Sequence, residues 1–489
     1  MKKHLTIVIK LGTASPVPLD PRTSSIVDEK THEPLLSILS TIVETAVKLH
    51  KDGHRVVLVS SGAIGVALRR MDLPRRPKHL PQVQALAAIG QCRLMSLWDQ
   101  LFAHMNQPVA QILLTRNDIA DRTQYLNAQN TFHELLHMGV IPIVNENDTL
   151  AVTEIKFGDN DTLSAITAGM VQADYLFLMT DVDCLYDKNP RTNPDAKPIE
   201  VVEDIAELVA DVSSAGSALG TGGMSTKIVA ARLATSAGVT TVITRSSKPG
   251  NIAAIVKYAE AQKAQKALLA SMTSSRNSLT GGEDLADKAA AALDLSASAS
   301  SGADGTSTPV PPGEVVDPAS GLTAPLHTRF LPQVHAIRDR YFWLLHGLAP
   351  HGSVYIDEGA YRALADKAGL LPVGVVDCDG HFHQQEAVRL VVVKRSASSA
   401  AAKRSSSTHG ADSPATGFEK ENPAPFEVGR AVVNYSAAEI KRIRGLRSTE
   451  IHDALGYADS EYVALRENVA FFRVERSRPT TPGLPAEVA

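Results

Sequence analysis

The stretch VNENDTLAVTEIKFGDNDTLSA, Val144 to Ala165, decides how this chain reads. It carries five acids, Glu146, Asp148, Glu154, Asp159 and Asp161, against the single base Lys156. Asn145, Asn147 and Asn160 are interleaved with them. The apolar run Val140-Ile141-Pro142-Ile143-Val144 precedes the acids, and a helix-like segment, Leu163 to Met170, follows them. The acids therefore sit on a loop leaving a buried strand, which is where α/β proteins place their sites. A solvated acidic loop is the alternative, and for an isolated charge run it is the usual one. Here the acids alternate with Asn, Thr and Gly instead of forming a block, which favours a working loop.

Working outward, strands and helices alternate. Leu5 to Ile9 is a buried-type strand ending at Lys10-Leu11-Gly12-Thr13. Leu35, Leu36, Ile38, Leu39, Ile42, Val43, Ala46 and Val47 mark one helical face. Arg55 to Ser60 is a second strand, followed by Ser61-Gly62-Ala63. Helical patterns over Gln82 to Met105 and Arg122 to His137 flank a strand at Val109 to Thr115. Tyr175 to Met179 is a strand ending in Thr180-Asp181, and Gly220 to Lys227 opens a helix over Ile228 to Ala237. Thr240 to Thr244 is another strand. This alternation predicts a three-layer α/β domain with a mostly parallel central sheet.

Residues 1–262 form that domain in this reading, and 263–325 a low-complexity, flexible linker rich in Ser, Ala, Gly and Asp. Residues 326–350 connect to a small β-rich domain over 351–478, interrupted by a disordered insertion at about 396–423. A chain of 489 residues accommodates this. Formal net charge of −4 argues against a general polyanion binder. Cys92, Cys184 and Cys378 are odd in number and far apart, which suggests a reducing compartment. Leu5 to Ile9 is too short for a signal sequence, and no apolar run approaches the ~18 residues of a membrane helix. A soluble, cytoplasmic protein is expected.

Gly220 to Lys227 has the chemistry of an anion site. Glycines let backbone N–H groups approach a phosphate, Thr221, Ser225 and Thr226 add hydroxyls, and Lys227 adds charge at a helix start. The loop is neither a Walker A nor a clean GxGxxG motif, and alone it would as readily be a flexible helix start. Lys10, Ser61, the acidic loop and Thr180-Asp181 all follow strands at the carboxyl edge of the sheet. Their convergence on one edge outweighs the solvent-facing reading of each.

The ordered series Lys10-Leu11-Gly12-Thr13, Ser61-Gly62-Ala63, Leu114-Thr115-Arg116, Tyr125-Leu126-Asn127-Ala128, Asn145 to Asp148, Glu154 to Asp161, Thr180-Asp181 and Gly220 to Lys227 resembles the glutamate 5-kinases of the amino acid kinase superfamily. The resemblance covers about residues 4–260, and the second domain looks like a PUA domain. It implies ATP-dependent phosphorylation of the L-glutamate side-chain carboxylate, the first step of proline synthesis, with proline as a feedback inhibitor. In that family's terms Lys10 and Lys227 flank the transferring phosphoryl group and Asp161 holds them. Ser61, Asp148, Asn160, Asp159, Asn145 and Lys156 bind glutamate, although Lys156 could equally be a surface lysine. Lys10, Thr180, Asp181, Thr221, Gly222, Gly223, Met224, Ser225, Thr226 and Lys227 bind ATP. Mg²⁺ arrives with the nucleotide, without a dedicated protein metal site. A homo-oligomer and a contact with the reductase that consumes the labile acyl phosphate are further implications. Ala14 departs from the family, which often has serine there. Related aspartate and N-acetylglutamate kinases are disfavoured by the Asn145–Asp161 signature. RNA binding by the PUA-like domain is a separate possibility, with Arg338, Arg340, Lys441, Arg442, Arg444 and Arg447 as its basic surface.

Overall fold

The computed structural model describes residues 4–12, 26–27, 32–150, 160–190, 192–205, 208, 223–277, 314–316, 323–333, 336–337, 339–395, 418–419, 426–458 and 460–472. They group into two compact units, one holding 1–115 and 129–336, the other 116–128 and 337–489.

Six strands of the first unit run parallel: β1 (Thr6–Leu11), β2 (Arg55–Ser60), β3 (Val109–Leu114), β4 (Ile141–Glu146), β5 (Tyr175–Thr180) and β9 (Thr240–Arg245). Their order is β3-β4-β2-β1-β5-β9, so β1 lies between β2 and β5 and the winding reverses beside it. Such a reversal opens a crevice at the carboxyl ends of the strands. Thr328–Phe330 (β12) joins β9 antiparallel, and Val201–Val202 (β8) completes the edge; the short strands β6 (Leu185–Tyr186) and β7 (Pro198–Ile199) pair with each other.

Period-two alternation sorts the strand side chains into two layers. Ile7, Ile9 and Leu11 enter one core with Val56 and Leu58 of β2 and Phe177 of β5. That face is closed by α1 (Leu36–Lys51), α3 (Leu80–Ala103) and α8 (Asn251–Asn277). Leu39, Ile42, Val43, Ala46 and Val47 form the buried stripe of α1, as their spacing predicts. The opposite face carries α6 (Asn160–Met170) and α7 (Met224–Ser236), packed on each other and on the strands. A short α2 (Ala63–Arg70) follows β2 and lies against α3.

Two boundaries differ from the sequence reading. Helix α8 continues through Asn277, beyond residue 262; the helix formers Ala, Leu, Lys and Gln persist as far as Ala270. Thr328–Phe330, assigned to a connector, is a strand of the main sheet; three residues are too few to show a period.

The second unit is a five-stranded sheet in the order β14 (Val375–Gly380), β13 (Gly352–Ile356), β15 (Ala387–Val392), β18 (Phe426–Val432) and β19 (Val469–Phe471). Its core gathers Val354, Ile356, Leu390, Val428, Tyr435 and Ile440. Asp357 caps the helix Glu358–Ala365 by accepting from the Ala360 N–H at 2.7 Å. Ser436 and Glu439 form a reciprocal capping box on Ala437–Ile443. Lys394–Arg395 and Phe418–Glu419 pair as a ribbon, so part of the expected insertion is strand; residues 396–417 and 420–425 lie outside the described residues. The short helix Arg116–Ala120 (α4) and the start of α5 (Arg122–His137) belong to this unit. The Trp343 indole N–H donates to the Ile119 carbonyl at 2.9 Å, and the Arg122 guanidinium lies over the Trp343 and Tyr125 rings. No helix among the described residues is long and apolar enough to cross a membrane.

Candidate active site

Alternation also decides where Lys10 points. Ile9 and Leu11 enter the core under α1 and α3, so Lys10 takes the other face, toward α6. It lies in register with Val59 of β2 on one side and Leu178 of β5 on the other. Asp161 stands in the first turn of α6, and Lys227 in the first turn of α7. Lys10 Nζ meets Asp161 Oδ1 at 2.6 Å and Lys227 Nζ meets Asp161 Oδ2 at 3.1 Å. Thr226 Oγ1 is 2.8 Å from Asp161 Oδ2 and 2.8 Å from the Gly223 carbonyl. Its one proton goes to the carboxylate, the stronger acceptor. The same hydroxyl oxygen accepts the Gly223 N–H at 3.0 Å, which ties down the start of α7.

All three charged groups are buried: Asp161 is 0%, Lys10 5% and Lys227 8% exposed. Burial by itself pushes the Asp161 carboxyl up. The attraction of Lys10 and then of Lys227, with hydrogen bonds from Lys10 and Thr226, outweighs it and holds the carboxyl well below the usual carboxylate range. A carboxylate held this firmly ionised is a weak proton acceptor. It serves instead to fix two ammonium groups beside the amino end of α7, where backbone N–H groups and the helix dipole favour an anion.

A second cluster adjoins the first through Asn160, the residue before Asp161. Asn160 Nδ2 donates to Ser61 Oγ at 2.6 Å and to Asn145 Oδ1 at 3.1 Å. Asn145, 4% exposed, donates from Nδ2 to Gln91 Oε1 at 2.8 Å. Ser61 owes its place to Gly62, whose φ of 107° is left-handed and turns the chain from β2 into α2. A cavity of about 20 Å³ lies beside this cluster, lined by Ala63, Ala87, Gln91, Leu113 and the turn from Glu146 to Thr149.

Thr180 and Asp181 stand at the end of β5. Thr180 Oγ1 donates to Asp181 Oδ1 at 3.0 Å, and the Thr180 carbonyl accepts from the Ser246 N–H at 2.7 Å and hydroxyl at 2.9 Å. Arg245 and Asp183 pair at 2.9 Å beside them.

The structure thus brings Lys10, Lys227, Asp161 and Thr226 together, and Ser61, Asn145 and Asn160 together, while Asp148 lines the cavity. Gly223 precedes α7, Met224 is half-buried in its first turn and Ser225 is exposed. Helix α7 begins at Met224, not Ile228, because Gly223 and Thr226 form its start. Lys156, Asp159, Thr221, Gly222 and Ala14 lie outside the described residues. Gln91 was not singled out from the sequence; the helix that carries it also holds Gln82, Gln84 and Gln100, and nothing local sets it apart from them. In the second unit Arg340 donates to Asn468, Arg442 to the Ala454 carbonyl, and Arg444 pairs with Asp377, so these three serve internal contacts. Lys441 and Arg447 are exposed, and Arg338 lies outside the described residues.

Residues 6–245 match the amino acid kinase family and residues 352–455 the PUA domain. The chain is 49% identical over 468 residues to a probable glutamate 5-kinase of Schizosaccharomyces pombe, covering 95% of this chain and 93% of that one. An uncharacterized Saccharomyces cerevisiae protein is 43% identical over 479 residues, covering 96% and 99%. A glutamate 5-kinase of a Cyanothece species is 40% identical over 466 residues, covering 95% and 98%.

Proposed function

We propose that this chain, which belongs to the glutamate 5-kinases of the amino acid kinase family, transfers the γ-phosphoryl group of ATP to the side-chain carboxylate of L-glutamate, giving ADP and L-glutamyl 5-phosphate. Family membership makes it a phosphotransferase with a carboxyl-group acceptor. The observation that carries the finer reading is the pair of buried lysines, Lys10 from β1 and Lys227 from α7, held on the one carboxylate of Asp161.

The chemistry asks for this kind of site. A carboxylate with an ordinary pKa of about 4.3 is ionised at neutral pH and needs no general base. The obstacle is bringing that anion up to an anionic triphosphate. Positioning and charge neutralisation are then the main catalytic terms. Lys10 and Lys227 would flank the phosphoryl group, and Asp161 would keep both ammonium groups in line. Gly223 to Thr226, with Thr180 and Asp181, would hold the nucleotide, as would Thr221 and Gly222. Ser61, Asn145 and Asn160 would receive glutamate, with Asp148 set to meet its α-ammonium and with Asp159 and Lys156 as further substrate contacts. Mg²⁺ would arrive bound to ATP and neutralise phosphate charge.

The proposed product is the first intermediate of proline synthesis, with proline as inhibitor. A cytoplasmic homo-oligomer that passes its labile acyl phosphate to a reductase completes the reading. The test is ATP turnover with glutamate, aspartate and N-acetylglutamate, trapping acyl phosphate as the hydroxamate. Glutamate-dependent hydroxamate is expected; folded protein that forms none, or forms it equally from all three acids, overturns the assignment.

A further inference from the structure

Four side chains from four separate elements form one chain of hydrogen bonds: Ser61, Asn160, Asn145 and Gln91. A backbone group fixes its polarity. The Glu146 N–H can only donate, and it meets Asn145 Oδ1 at 2.9 Å. The oxygen of Asn145 is therefore on that side, and its Nδ2 must face Gln91. Gln91 then receives through Oε1, so its Nε2 is the remaining end of the amide. At the other end, Asn160 Nδ2 donates to both Asn145 Oδ1 and Ser61 Oγ, and the Ser61 hydroxyl proton is left to point onward. Asn160 Oδ1 is buried, with no hydrogen-bond partner among the described residues.

The relay thus ends in a donor at each extremity, with its middle fixed at the buried Asn145. Two donors at a set spacing suit a molecule bearing two carboxylates. The Gln91 end borders the cavity of about 20 Å³, whose wall includes Glu146 and Asp148. A donor beside two acids suits an α-amino acid head: the amide takes the α-carboxylate and an acid takes the α-ammonium. Gly90 is what allows Gln91 to be there, since it lets α3 touch the start of α2 next to Ser61.

We propose that Gln91 is a specificity-determining residue that donates from Nε2 to the α-carboxylate of the amino-acid substrate, while Ser61 at the far end of the relay donates to the side-chain carboxylate. The inference rests on the glutamate kinase reading and deepens it. Substrates with a shorter spacing between carboxylates, such as aspartate, cannot engage both donors. At the Gln91 end a carboxylate is preferred to an amide, whose carbonyl is the weaker acceptor.

Gln91→Glu separates this role from a structural one. The variant keeps the shape and an oxygen for Asn145 Nδ2, but turns the remaining donor into an acceptor. The glutamate KM should rise about 10- to 100-fold, with the ATP KM and kcat nearly unchanged. The α-amide of glutamate, which retains the side-chain carboxylate and presents an NH₂ donor, should become a better substrate for the variant than for the wild type. Gln91→Met, which lacks both functions, should weaken glutamate and its α-amide alike. Thermal unfolding of each variant reports its folding. An unchanged glutamate KM in Gln91→Glu, or equal losses for glutamate and its α-amide, overturns the proposal. Calorimetric binding of the two ligands without ATP reads the same inversion independently of turnover. A wild-type protein that binds glutamate but forms no acyl phosphate would defeat the kinase reading while leaving the Gln91 proposal to be decided by that binding ratio.

Discussion

Gly90 approaches Ala63 so closely that a β-carbon on it would stand 1.7 Å from the Ala63 carbonyl oxygen. The obstacle is backbone, so no side-chain rotation relieves it, and α2 and α3 would have to move apart. Gly90→Ala should cost about 1–3 kcal/mol or more of stability. It should also raise the glutamate KM more than the ATP KM, because Gln91 moves with α3. Urea unfolding and steady-state kinetics check both. An unchanged unfolding midpoint would show that the helices separate freely.

Asp161 is shared by two lysines, and removing its charge leaves both without it. Asp161→Asn keeps the shape and an acceptor for Thr226. We expect kcat to drop about 10²–10³-fold, by the scale of lost electrostatic preorganisation. Stability should fall by about 3–5 kcal/mol, as for a broken buried ion pair. A variant within threefold of wild-type kcat would mean that the lysines do not depend on this carboxylate for position.

Asp148 and Lys227 occupy different clusters and should separate kinetically. Asp148→Asn should raise the glutamate KM by about tenfold with little change in kcat, as expected for the loss of one charge-assisted contact. Lys227→Ala should act chiefly on kcat. The opposite split would exchange the roles assigned to the two clusters.

His327 sets a pH dependence of stability. It is 4% exposed, and burial pushes its imidazole down to about 4, against a smaller upward pull from the Pro325 carbonyl and a further lowering by Arg329. Its Nδ1 lies 2.7 Å from that carbonyl, so the neutral ring donates there. Below about pH 6.5 the unfolded chain protonates this histidine while the folded one does not. Its contribution is therefore fully present above that pH and is lost as pH falls toward 4, at up to about 1.4 kcal/mol per pH unit. His327→Gln keeps a donor for Pro325 without titrating. Its stability should decline less steeply than wild type between pH 6.5 and 4 in urea titrations. Parallel profiles for the two proteins would remove His327 as the cause.

Much of this was legible in the sequence because it depended on short-range rules. Lys10 follows an apolar run, and its place at the end of that strand was enough to set it at the carboxyl edge of the sheet. Asp161 and Lys227 were recognisable from motif context, although the sharing of the Asp161 carboxylate by Lys10 and Lys227 depends on α6 and α7 packing together. Other features had no local signal. Thr328–Phe330 reaches the main sheet only after the chain has passed through the 278–313 stretch. Gln91 gained its meaning from Asn145, 54 positions away, whose orientation is set by the backbone of its own neighbour.

The second unit is assembled from two separated stretches of chain, 116–128 and the segment beginning at 337. Trp343, 7% exposed, finds its indole acceptor on Ile119, and Arg122 stacks on that same indole. Recombination that swapped the C-terminal portion as a single cassette would leave behind a part of its own interior. Inheritance of this domain is thus tied to the sequence following β3, and a hybrid gene joined near codon 337 would need matching changes more than two hundred codons upstream.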